Sequence, residues 1–242
     1  SGSGQGKSTF CRQLATHLLE QGVRVGYLAL EESNRRTALG LMSTHAGKAL
    51  HIGEHSREVL ENIYNETLGN WNLYLFDGFG SYDPDIIYNR CEYLALGLDT
   101  KVIFLDHLSI LLSGLEGDER KMIDKTMTRL RSLVERTGIS LFLVSHLRRS
   151  NNDRTSHEEG GKVSLSQLRG SHAIAQLSDQ VIALERDQQS ETERDVTTLR
   201  IIKNRYSGET GFAGKIRYNL STSRFTEHET SESPVFNPAS DF

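Results

Sequence analysis

Short apolar runs alternate along this chain with longer stretches in which apolar residues recur every three or four positions. The runs are Arg24 to Leu30, Leu73 to Phe76, Lys101 to Asp106 and Ile139 to Ser145. Each is too short for a buried helix, so they are predicted to be strands. Between them, Phe10 to Gln21 is predicted to be a helix stopped by Gly22, and helical material follows Glu31 and Glu32 to about Gly69. Asp83 to Leu98 is a further helix, with Pro84 tolerated in its first turn. Asp118 to Arg136 carries Ile123, Met127, Leu130 and Val134 at helix spacing, and Gly138 ends it. Strand and helix in alternation predict an α/β domain with a parallel sheet. Chemistry in such sheets gathers at the carboxyl ends of the strands, where Glu31, Asp106 and His146 fall.

The second half changes character. Leu147 to Val163 is polar, with Arg148, Arg149, Arg154 and Lys162 among Asn, Ser and Gly. A loop of that length in a compact domain is usually functional or disordered. After a short helix around Ala173 to Leu177, the segments Gln180 to Leu184, Val196 to Lys203 and Gly214 to Tyr218 are predicted to form hairpins at a sheet edge. The folded body is expected over residues 1–225. Residues 226–242 hold Glu227, Glu229, Glu232 and Asp241 with no Lys or Arg, and so carry the whole net charge of −4. Acidic and poor in apolar groups, this tail is expected to be disordered. A neutral body confines any nucleic-acid contact to a local basic segment. No apolar stretch is long enough to cross a bilayer. Cys11 and Cys91 form no C-x-x-C pair, which favours a reducing interior. His51 and His55 lack a third ligand at metal-site spacing, so zinc is not expected.

The chain opens on SGSGQGKST. Gly2, Gly4, Gly6, Lys7 and Ser8 have the spacing of a Walker A loop, in which backbone N–H groups and a helix N-terminus cradle phosphates. Ser3, Gly4, Gln5, Gly6, Lys7, Ser8 and Thr9 are therefore expected around a nucleoside triphosphate, with Lys7 on the β/γ-phosphates and the Ser8 hydroxyl on Mg²⁺. Ser1 stands where the full pattern has Gly. The strand that normally leads into such a loop is central in a parallel sheet, and without it apolar neighbours would be exposed and the chain is expected to fold poorly. Asp106, at the end of an apolar strand, is the expected carboxylate for Mg²⁺. Glu31 or Glu32 could orient and deprotonate the attacking water. His146 could hydrogen-bond the γ-phosphate, and Arg205 could neutralise charge on the transferred phosphoryl from a neighbouring subunit.

The blocks SGSGQGKSTF, LALEES, VIFLDHLSI, DERKMID, VSHL, HEEG, LRGSHAIAQLSD, IALERDQQ and KNRYSGETG, with the final Asp241 and Phe242, run in order over nearly all of the chain. They closely resemble the helicase half of the primase–helicases of T-odd bacteriophages, within the RecA-like hexameric replicative helicases. The resemblance implies a RecA-like core and a ring, usually a hexamer, with nucleotide between subunits and single-stranded DNA in the channel. It implies ATP or dTTP as fuel, 5′→3′ translocation, unwinding at a replication fork, and the cytoplasm of an infected bacterium. By the same resemblance Glu31 is the catalytic base, His146 the phosphate sensor and Arg205 the finger inserted into the adjacent site, with Lys203 assisting. Arg186 and Tyr218 match the positions that flank the nucleotide base. Arg148, Arg149, Arg154, Lys162, Arg169 and Gly170 correspond to the DNA-binding loop, although arginines and asparagines stand where lysines are more usual. Phe242 at the end of the acidic tail matches the residue that docks on the replicative DNA polymerase. Two other functions share these features: a RecA-type strand-exchange ATPase, and an inactive split fragment serving as a binding subunit.

Overall fold

The computed structural model of the 242-residue chain describes residues 6–78, 80, 82–108, 119–147, 160–168, 172–230, 232, 234 and 235. It comprises two compact units, one of residues 8–145 with 220–224 and one of residues 1–7, 146–219 and 225–242.

The first unit is built on a parallel sheet. Its strands are β1 (Val25–Ala29), β2 (Leu73–Leu75), β3 (Val102–Asp106) and β4 (Ser140–Leu143), in the order β2-β1-β3-β4. The two central strands, β1 and β3, are buried at every position. A strand covered on both faces has no solvent side to be polar, which is why both appear in the sequence as unbroken apolar runs. Helix α1 (Lys7–Glu20) contributes Cys11, Ala15 and Leu19 to a core shared with Val25, Tyr27, Ala29, Val102, Phe104 and Val144.

Tyr27, Phe104 and Phe142 occupy paired positions on three adjacent strands. Their rings stack in a row, with centroids 5.4 Å and 4.9 Å apart and planes within 18° and 16°. Such cross-strand aromatic pairs contribute about 0.5–1.5 kcal/mol each beyond their burial, and they fix register. Among the described residues β4 is an outer strand of this sheet, and Phe142 at the end of the row is 36% exposed.

The helical stretch expected to continue to Gly69 is two helices, α2 (Asn34–Ala46) and α3 (Arg57–Glu66). Serines start both: Ser33 accepts the Arg36 N–H and Ser56 the Val59 N–H. Gly47, at φ 61°, turns left-handed and stops α2. Residues 220–224 pack on this end of α2. The Ala49 N–H donates to the Ser221 carbonyl at 3.0 Å, and the Arg224 guanidinium donates to the Thr44 carbonyl at 2.6 Å and to that of His45. Helices α4 (Pro84–Gly97, capped by Asp83) and α5 (Glu119–Thr137) complete the unit. Ile123, Met127 and Leu130 of α5 are buried as expected, but the fourth core position is Leu133, fully buried, and Val134 is only half-buried.

In the second unit, β5 (Gln180–Glu185), β6 (Val196–Asn204), β7 (Gly211–Asn219) and β8 (Arg224–His228) lie in the order β5-β6-β7-β8. Among the described residues they form a sheet of their own, with β5, β6 and β7 antiparallel, rather than edge hairpins of the first sheet. Strand β8 was not legible as a strand, and it carries the folded chain past residue 225. Phe225 is buried while its neighbours Arg224 and Thr226 are exposed, a period-two pattern short enough to look like tail. Val235 is also held, its N–H donating to the Phe212 carbonyl at 2.8 Å. The short helix α6 (His172–Leu177) precedes β5. An antiparallel bridge pairs Leu147, where the polar segment begins, with Leu168. Among the described residues no helix is long and apolar enough to cross a membrane.

Candidate functional site

The carboxyl ends of β1 and β3 hold the acidic residues the sequence placed there. Asp106 ends β3 beside Ala29, and its backbone carbonyl accepts the Leu30 N–H at 2.7 Å. Its side chain is buried, and burial pushes the carboxyl above its ordinary range, opposed by a hydrogen bond from the Ser8 hydroxyl and by His107. Ser8 is the second residue of α1, so the motif's hydroxyl and the strand-end carboxylate meet although 98 positions separate them. Asp106 Oδ1 is buried and has no hydrogen-bond partner among the described residues. An orphaned carboxylate oxygen beside a hydroxyl is a hard, all-oxygen donor set, which suits Mg²⁺. Lys7 opens the same helix, and Gly6 before it has φ +85°, a conformation that favours glycine.

Glu31 and Glu32 are adjacent in sequence but differently occupied. Glu32 accepts from Arg12 Nη1 at 2.8 Å and 3.1 Å and from the Thr37 hydroxyl at 2.8 Å, and Arg36 lies 3.5 Å away. Its side chain is 14% exposed. Glu31 is 46% exposed and faces the Nε2 of the buried His107. Of the two, Glu31 is the carboxylate open to a ligand. The following helix α2 is capped by Ser33, not by either glutamate.

In the second unit, Arg205 follows β6 at a hairpin tip. Its backbone N–H donates to the Asp179 carbonyl at 2.8 Å, and its guanidinium lies 3.5 Å from the Asp179 carboxylate while remaining 59% exposed. Lys203 does not point free: Nζ donates to the carbonyls of Ala175, Gln176 and Ser178 at 2.7, 3.0 and 2.7 Å, closing the carboxyl end of α6. Arg186 donates from Nε to the Arg194 carbonyl, and Tyr218 packs its ring on Phe225. Lys162 is exposed and borders a polar cavity of about 260 Å³ with Glu185 and Arg200. Glu185, buried, accepts the Val163 N–H at 2.7 Å and pairs with Arg200 at 3.1 Å. His146 lies just past β4 and belongs to this unit. Ser3, Gly4, Gln5, Arg148, Arg149, Arg154, Arg169, Gly170 and Phe242 lie outside the described residues.

Sequence reasoning missed Arg12, His107, Asp179 and Phe225. Their roles depend on partners far along the chain, and spacing carries no signal for such contacts.

Residues 1–227 match the family model of the DnaB-like helicase C terminal domain. The chain belongs to that family. Among curated proteins it is 39% identical over 230 residues to a DNA helicase/primase of Enterobacteria phage T3, covering 92% of this chain and 40% of that protein. It is 27% identical over 232 residues to a probable plasmid replicative DNA helicase of Chlamydia psittaci, covering 91% and 49%. The chain thus spans less than half the length of these relatives. Among solved structures, the ATPase domain of G40P matches with a TM-score of 0.76 at 19% identity, covering 94% of this chain and 82% of that one. A DnaB-like replicative helicase studied with its primase matches with the same TM-score of 0.76 at 18% identity, covering 94% and 57%. At those identities the structural matches establish the fold alone, and it is the RecA-like α/β fold that the sequence led us to expect.

Proposed function

We propose that this chain is the motor domain of a ring-forming replicative DNA helicase, driven by hydrolysis of ATP or dTTP. One observation carries the reading: the hydroxyl of the phosphate-loop serine, Ser8, is bonded to the buried strand-end carboxylate of Asp106, whose second oxygen is left for a cation. Residues 3–9 wrap the triphosphate, Lys7 pairs with its β/γ-oxygens, and Ser8 and Asp106 hold Mg²⁺. When bound, that ion neutralises charge on the phosphate oxygens. Glu31 accepts the proton of the attacking water, and His107 behind it fixes the direction in which its carboxylate points. His146 senses the γ-phosphate. Arg186 and Tyr218 flank the base.

Arg205 completes the site of the next subunit. An exposed guanidinium anchored at its backbone by Asp179 suits a group that must reach outward. Lys203 supports it by holding α6 in place. Arg148, Arg149, Arg154, Lys162, Arg169 and Gly170 contact the backbone of single-stranded DNA, independently of sequence as a translocating motor requires. Travel is 5′→3′ with unwinding at a fork in the cytoplasm of an infected bacterium, and the tail through Phe242 docks on the replicative polymerase. The test is a forked duplex with the full chain as its gene encodes it. Unwinding that needs a 5′ single-stranded arm and a hydrolysable triphosphate, from rings seen by native mass spectrometry, is the expected result. Open filaments that pair strands instead would replace this reading with a recombinase.

A further inference from the structure

Phe225 has no place in the reading above, yet it touches two parts of it. The ring is 7% exposed. Its Cζ lies 3.1 Å from the point where a Cβ on Gly6 would stand, with two more ring carbons at 3.9 Å. The same ring meets Tyr218, with centroids 5.1 Å apart and planes tilted by 56°. Gly6 is therefore constrained twice, by its φ of +85° and by the tip of the aromatic ring, which a Cβ there would crowd at 3.1 Å. All three residues belong to one compact unit. Tyr218 is itself tied by its backbone, since its N–H donates to the Asp195 carbonyl at 2.9 Å.

We propose that Phe225 is a positioning residue that couples recognition of the nucleotide's base to recognition of its phosphates. The tip of its ring seats the phosphate loop at Gly6, and the same ring braces that of Tyr218. The distance between the stacking ring and the phosphate cradle is then fixed by a single rigid side chain. A nucleoside triphosphate, with a base at one end and phosphates at the other, matches that fixed separation; a bare polyphosphate makes no use of it. Rigid aromatic contacts suit this task because few rotatable bonds connect the two ends.

This inference rests on the reading of residues 3–9 as a triphosphate loop and of Tyr218 as a base neighbour. The test measures displacement of a fluorescent ATP analogue from the full chain by ATP and by inorganic tripolyphosphate. Wild type is compared with Phe225→Leu, Phe225→Ala, Tyr218→Ala and the Phe225→Ala/Tyr218→Ala double variant. The preference for ATP over tripolyphosphate is expected to fall roughly five- to tenfold in Phe225→Ala. It should fall by a similar amount in Tyr218→Ala and no further in the double variant, because one device has been removed twice. Phe225→Leu, which keeps an apolar group on Gly6, should fall between, and it carries the test if the alanine variant fails to fold. A preference unchanged in a well-folded Phe225→Leu and Phe225→Ala, or losses that add fully in the double variant, would overturn the proposal. Lys7→Ala separates the underlying reading: if it binds both competitors like wild type, the triphosphate loop is misassigned.

Discussion

Arg12 of α1 donates to both carboxylate oxygens of Glu32, at 2.8 Å and 3.1 Å. This contact divides the labour between two neighbouring glutamates, because it commits Glu32 to the fold and leaves Glu31 at the open end of β1. Opposite phenotypes should follow. Glu32→Gln leaves a guanidinium only 16% exposed without its counter-charge and should lower stability by about 1–3 kcal/mol. Glu31→Gln should leave the melting temperature near wild type and lower kcat about a hundredfold or more. Thermal melts and steady-state hydrolysis on the two variants check both halves.

Burial raises the Asp106 carboxyl above its ordinary value of 3.8, with Ser8 and His107 opposing and Glu31 and Glu32 reinforcing the shift. Between its unfolded value and its raised folded value, the native state binds more protons than the unfolded chain. Stability of the metal-free protein therefore falls as pH rises through that window and stays lower above it. Asp106→Asn removes the buried charge and should raise the melting temperature of metal-free protein at pH 7, while abolishing Mg²⁺-dependent hydrolysis. The gain should vanish when both proteins are melted at a pH below the window.

Lys203 closes the end of α6 through three carbonyls. Lys203→Met keeps the aliphatic stem and removes the donors, which should cost about 1–2 kcal/mol. Hydrogen exchange should speed up at the last amides of α6 and at Asp179 and Arg205, and hydrolysis should fall with it.

Cys91 is fully buried, and burial pushes its thiol up to about 12. The thiolate is the reactive form. A thiol reagent at pH 8 should therefore leave Cys91 unmodified in the folded protein and label it once denaturant is added, as followed by mass spectrometry.

Much of the fold could be read from the sequence because its signals are local. Strands β1 and β3 stand out as apolar runs, since burial on both faces leaves no polar alternation. Gly22 and Gly138 mark helix ends through their own backbone preferences, with φ of 77° and 71°. The phosphate loop, Asp106 and the strand-end acids follow from spacing. What escaped depends on distant partners. Nothing near Glu32 announces Arg12, 20 residues upstream. Strand β8 carries one buried apolar residue, Phe225, among polar ones, and its reason for being a strand is contact made elsewhere. The break between α2 and α3 was legible in principle at Gly47, but the apolar pattern on either side obscured it.

Arg205 and Lys7 provide the most direct measurement of whether the fuel is consumed between subunits. Lys7→Ala should silence the site on its own subunit, and Arg205→Ala should silence the site next door, so each homogeneous assembly is expected to be inactive. Mixed at equal amounts, the two variants place an intact loop beside an intact arginine at about one interface in four if subunits assort randomly, and DNA-stimulated hydrolysis should return in part. Mixtures as inactive as the separate variants, or an Arg205→Ala protein that hydrolyses at the wild-type rate, would contradict a shared site.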